Sequence, residues 1–154
     1  MKPVVQREPT GCGIASVAAI AGLSYAQARS IAAALGIRAA DRALWSGTAH
    51  VRTLLRHTGF AAGAREIPFR SWSALPDLAL LSIKWHLEQG RPFWHWVVFM
   101  REGGRACVLD PKKGLRHNRR TDFGRMKPKW FIPVTASRNR RAAATGKEGG
   151  RRCE

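Results

Sequence analysis

Gln6-Arg7-Glu8-Pro9-Thr10-Gly11-Cys12-Gly13-Ile14-Ala15-Ser16-Val17-Ala18-Ala19-Ile20 is the stretch from which the fold can be read. Ile14, Val17, Ala18 and Ala21 fall at i, i+3, i+4 and i+7, one buried stripe of a helix over residues 12–20 that Gly22 ends. Cys12 therefore opens a helix between two glycines. Backbone N–H groups and the helix dipole there favour a thiolate, the form of cysteine that attacks carbonyl carbon. Gln6, upstream, offers a side-chain amide that can bind an oxyanion.

Working outward, Ser24 with Gln27 three residues on forms a capping box for a second helix, which Gly36 stops. A third helix is expected from Thr48 to Thr58, ended by Gly59. The texture then changes. Leu78 to Trp85, Phe93 to Met100, Arg105 to Leu109 and Trp130 to Val134 are short apolar or alternating runs parted by Gly and Pro, the pattern of strands. Helices first and strands afterwards predict an α+β domain over residues 1–135, N-terminal helices packed on a C-terminal antiparallel sheet. Residues 136–154 hold six basic and two acidic residues and no apolar side chain larger than Ala except Cys153, so a basic disordered tail is expected.

Two later residues complete a constellation with Cys12. Arg101-Glu102-Gly103-Gly104 is a turn signal, so the runs on either side should form a hairpin carrying His95 and leading to Asp110. A Glu102-Gly103 loop sets His95 directly across from Asp110; a Gly103-Gly104 loop makes them diagonal neighbours. Either register brings an imidazole within reach of a carboxylate that can fix its tautomer and orientation. Taken alone, Cys12 reads as a small buried hydrophobe, His95 as a core histidine, Asp110 as a turn opener and Gln6 as a solvated residue. Together, in the order Gln, Cys, His, Asp, they read as a nucleophile, its base and the base's orienter.

The spacing of Gln6 and Cys12, the run Gly11-Cys12-Gly13-Ile14-Ala15-Ser16, the strand Trp94-His95-Trp96-Val97-Val98-Phe99 and the corner Val108-Leu109-Asp110-Pro111 resemble the bacteriocin-processing, double-glycine cysteine peptidases of the papain-like superfamily. The resemblance implies a papain-like fold and a cysteine hydrolase acting on a peptide or other amide bond, its partner a peptide or protein substrate. By that likeness Cys12 is the nucleophile, His95 the general base and then acid, Asp110 the orienting group, and Gln6 the side-chain oxyanion donor beside the Cys12 N–H. No cofactor or metal is implied. Gly11 stands where such motifs often carry an acidic residue. Family members that process leaders are often fused to an exporter and an ATPase, whereas this sequence has no membrane span and no Walker-type loop. A stand-alone domain is the expectation.

Composition bounds the other readings. The formal charge is +17, from 27 Lys and Arg against 10 Asp and Glu, and the first 135 residues carry +13 of it. Lys112 to Lys129 holds eight basic residues and only Asp122 opposing them, which suits phosphate tracking or, as favoured here, a solvated loop. No nucleic-acid fold signature accompanies it, so a nucleic-acid-binding protein is the third reading, after a peptidase and a catalytically silent peptide-binding module. Three scattered cysteines suit a reducing compartment, and a cytoplasmic location is expected. Lys2, Arg7 and the apolar stretch Gly13 to Leu23 imitate a signal peptide, but Glu8 and Pro9 interrupt it and the stretch makes sense as a folded helix. His50 and His57 share a helix face expected to be solvated. Cys107 is expected in the core, and His117 with Asp122 forms a reserve imidazole–carboxylate pair.

Overall fold

The apolar stripe and the capping signals fold as their chemistry dictates. The structure, a computed structural model, describes residues 1–148. Helix α1 (Cys12–Ala21) is ended by Gly22 in the left-handed region at φ 72°. Helix α2 (Tyr25–Ala34) starts at a complete Ser24–Gln27 capping box, and α3 (Ala49–His57) follows a 3₁₀ turn over Arg42–Ser46. Seven strands come next: β1 (Phe60–Ala62), β2 (Ile67–Pro68), β3 (Leu78–Glu88), β4 (Arg91–Glu102), β5 (Arg105–Leu109), β6 (Arg119–Arg120) and β7 (Trp130–Ala136). They form one antiparallel sheet in the order β1-β7-β3-β4-β5-β6, with β2 also paired to β7. The α+β class and the three helices match the sequence reading. Strands β1, β2 and β6 were not foreseen, because two or three residues carry no period to detect.

Both faces of the central strands are covered, which is why Leu78 to Ile83 reads as a continuous apolar run rather than an alternation. Leu80, Trp96, Val98 and Ile132 pack with the helices on one face; Leu81, Val97, Phe99, Val108 and Phe131 form a second cluster with Leu75 and Met126 on the other. Trp96 and Phe99 are fully buried. Cys107 is buried in the first cluster, as expected.

The segment expected to be structureless begins differently. Ala136 is the last residue of β7, paired with Phe60, and residues Arg138–Glu148 form helix α4. The Ala142-Ala143-Ala144 run supplies helix propensity, and Arg140 anchors the helix by donating to the Thr58 carbonyl at 2.8 Å while lying over the Phe60 ring. Charge and low hydropathy hid the alanine run, and the anchors at Thr58 and Phe60 lie far upstream in sequence. Residues 149–154 of the expected tail lie outside the described residues.

The hairpin takes the Gly103-Gly104 register: Glu102 pairs with Arg105 and Val98 with Leu109. Both glycines have positive φ, 58° and 75°, as a two-residue turn of this type requires. Strand β3 bulges where it faces His95. Ile83 pairs with His95 and His86 with Phe93, so Lys84 and Trp85 together oppose Trp94 alone. Lys84 sits at φ 53°.

Candidate active site

The glycines flanking Cys12 are there for space. A methyl group on Gly11 would collide with the Tyr25 hydroxyl, and one on Gly13 would collide with His50 Nε2 and meet Val51 Cγ1 at 2.9 Å. Their bare backbones let α1 approach α2 and α3 closely at the turn that carries Cys12. Among the described residues, the Cys12 N–H makes no hydrogen bond, as the first residue of a helix leaves it. Cys12 itself is fully buried.

His95 and Asp110 meet as diagonal neighbours. The ring Nε2 lies 2.7 Å from Asp110 Oδ1. That carboxylate is completely buried and fully used: Oδ1 also accepts from the Lys112 N–H at 3.0 Å, and Oδ2 accepts from Arg120 at 2.9 Å. Its backbone is pinned as well, the Asp110 N–H donating to the Asn118 carbonyl and Asn118 Nδ2 returning to the Asp110 carbonyl, each at 2.8 Å. Burial pushes the Asp110 carboxyl up, but the bonds from His95, Lys112 and Arg120 overcome it and hold the group at about 2. Burial likewise opposes a charge on His95, yet Asp110 and then Cys12 raise it to about 9. The carboxylate, an acceptor, sets a ring proton on Nε2 and leaves Nδ1 as the ring's other nitrogen.

Gln6 is buried beside this corner, its own N–H donating to the Pro111 carbonyl at 2.9 Å. The side-chain amide is turned inward. Nε2 donates to the Glu8 carbonyl at 3.0 Å and the Pro9 carbonyl at 2.9 Å, which uses both of its hydrogens, and Oε1 is left without a partner. Flipping the amide would set oxygen against two carbonyl oxygens. The donor expected at an oxyanion is therefore clipping its own loop.

His50 departs from the sequence reading more sharply. His57 is exposed, but His50 is buried, its Nε2 without a partner and its ring edge-on to Trp96 with centroids 6.4 Å apart. The absent Gly13 side chain makes the room that helical periodicity could not reveal. Burial drives His50 down to about 4, against a smaller opposing pull from Asp41. The unfolded ring binds a proton from pH 6.5 downward and the folded one only near 4, so His50 contributes stability above pH 6.5 that is lost as pH falls through 4. His95 has the opposite sign: its contribution is complete below 6.5 and is lost as pH rises through 9. Denaturant melts across pH 4 to 9 should show a maximum near pH 6.5. His50→Phe should flatten the acid side by about 3 kcal/mol.

Three residues near the site escaped the sequence reading. Arg120, inside a stretch expected to be a solvated loop, bridges Asp110 to Asp122, whose oxygens it meets at 2.7 and 2.9 Å. Asp122 is thereby committed to Arg120, and among the described residues His117 makes no bond to it. Trp45 donates to the Pro9 carbonyl at 3.0 Å and, with Phe93, Trp94 and Lys84, lines a cavity of about 210 Å³ that includes His95. A charge run names no partners, and a single Trp in a loop carries no period. A lone marker of Lys84 was equally absent, since its bulge depends on the partner strand.

No family model matches the sequence, and no curated protein matches it. Among solved structures, the chain is similar to a double-glycine-motif protease from an AMS/PCAT transporter, determined in complex with the leader peptide. The TM-score is 0.57 at 19% identity, over 89% of this chain and 93% of that one. The α+β fold is shared with that solved protease structure.

Proposed function

We propose that this chain is a cysteine peptidase in which Cys12 attacks a peptide carbonyl, His95 moves the proton and Asp110 holds His95. The observation that carries the reading is the His95 ring, bonded through Nε2 to the buried Asp110 at 2.7 Å and raised further by Cys12. The protease-like fold and the leader peptide bound to its solved neighbour support a peptide as substrate.

The chemistry follows from those roles. With the Cys12 proton resting on His95, the sulfur attacks the carbonyl carbon while the π pair of the C=O bond moves to oxygen. That oxyanion lies against the free Cys12 N–H at the positive end of α1. The oxyanion collapses, the C–N bond breaks, and His95 gives its proton to the leaving amine. Water, deprotonated by His95, then attacks the thioester, and the thiolate departs.

Gln6 joins as a second donor by exchanging one backbone carbonyl for the oxyanion, a trade favoured because a bond to a charged acceptor is about twice as strong. Part of that gain is offset by the bond given up. Gln6→Ala should therefore lower kcat about tenfold to a hundredfold with KM little changed, less than the 10²- to 10³-fold of a donor already free. An unaltered kcat removes Gln6 from the reaction.

The test of activity is digestion of a proteome-derived peptide mixture with the protein and with Cys12→Ala. Mass spectrometry should find new termini made only by the parent. Identical peptide maps from the two proteins would overturn the reading.

A further inference from the structure

The strained bulge beside His95 gathers positive charge that the proposed reaction does not use. Lys84 holds a left-handed backbone, φ 53°, that an L side chain adopts only at a cost. It lines three cavities at once: the aromatic one that includes His95, and two basic ones of about 480 and 610 Å³. The first basic cavity is lined by Lys84, Arg120, Arg125, Lys127 and Lys129 with no carboxylate among them. In the second, the sole carboxylate is Asp122, already paired with Arg120.

The charges here are not balanced locally. Burial, together with the positive charges of Lys112 and Arg120, pushes the Lys84 ammonium toward the neutral form. The nearest opposing charge is Asp110, whose oxygens are taken by His95, Lys112 and Arg120. Cations drawn together around a spent carboxylate form a site that gains from a further anion. A phosphate backbone would need a continuous track. Here the charge instead adjoins an aromatic cavity of about 210 Å³ at the same imidazole, whose one carboxylate, Glu88, is engaged by His86 at 3.0 Å, a pairing that suits a peptide with an apolar side chain near an acidic one.

We infer that Lys84, which lines all three cavities, and Arg125, which lines the two basic ones, select peptide substrates carrying carboxylates close to the bond presented to Cys12. This rests on the peptidase reading for the identity of that bond, but the binding itself does not need turnover.

The test uses a short fluorescein-labelled oligoglutamate peptide and fluorescence anisotropy on the full chain. Lys84→Gln and Arg125→Gln should each weaken binding about tenfold, whereas Arg56→Gln and Arg65→Gln, exposed and remote with the same charge change, should alter it less than twofold. Should Lys84→Gln fail to fold, Lys84→Gly suits the positive φ and removes the same charge. Saturating oligoglutamate should also slow iodoacetamide labelling of Cys12 at least fivefold. Equal losses in all four variants mean general attraction to a basic protein and overturn the proposal. Tighter binding of an oligothymidylate of matched charge overturns it in favour of nucleic acid. Peptide cleavage without acidic preference overturns it while sparing the peptidase reading; the four-variant contrast in a protein that cleaves nothing does the reverse.

Discussion

Cys12→Ala is expected to reduce peptide turnover by about 10⁵-fold or more, to the uncatalysed background, while the protein stays folded. In the proposed reaction the sulfur is the atom that forms the acyl bond, and neither the Cys12 N–H nor His95 can replace it. Its loss leaves only a small void among Ile14, Ala15 and the neighbouring core, costing about 1 kcal/mol. Turnover and a denaturant melt on the same sample separate the two effects. Activity within tenfold of the parent would show that Cys12 is a packing residue after all.

Asp110→Ala should be costly in both respects. The carboxylate is completely buried and accepts from His95, Arg120 and the Lys112 N–H, so its removal strands three donors, although Arg120 keeps Asp122. Breaking a buried pair in this way costs about 3–5 kcal/mol. Without the acceptor at 2.7 Å the His95 ring also loses its fixed tautomer, and turnover should fall about 10³- to 10⁴-fold. Asp110→Asn keeps an oxygen for His95 but turns an amide toward Arg120, so it should lose less activity than Asp110→Ala and about 1–3 kcal/mol of stability. The pH dependence follows the sign of the shift. Asp110 is held at about 2 against 3.8 unfolded, so its contribution is present above pH 3.8 and is lost as pH falls through 2. Asp110→Ala should remove that acid step from the melting curve. A parent-like melt and parent-like turnover together would exclude the assigned role.

The parts of this fold that local chemistry specifies were legible in the sequence. The apolar stripe from Ile14 to Ala21, the Ser24–Gln27 capping box and the glycine stops at 22, 36 and 59 each depend on residues within one turn of one another. The His95–Asp110 approach was legible because a hairpin fixes register through its turn, and the two candidate turns both brought the pair together. What escaped depends on residues distant in sequence. The burial of His50 follows from the bare backbone of Gly13, and the commitment of the Gln6 amide follows from the path of Glu8 and Pro9. Arg120 looked like one charge in a run until β6 set it between two carboxylates. Helix α4 was hidden because the anchor supplied by Phe60 lies far upstream.

The most direct measurement of the central claim is the rate at which iodoacetamide labels each cysteine at neutral pH, resolved by mass spectrometry in the parent and in His95→Ala. Exposure alone favours Cys107, which is 8% exposed, over Cys12, which is 0% exposed. Under the proposed roles, with His95 taking the Cys12 proton, that order reverses. The account predicts faster labelling of Cys12 than of Cys107 in the parent, and a rate at Cys12 cut at least about tenfold in His95→Ala with Cys107 unchanged. Labelling of Cys107 ahead of Cys12, or a Cys12 rate indifferent to His95, would contradict it.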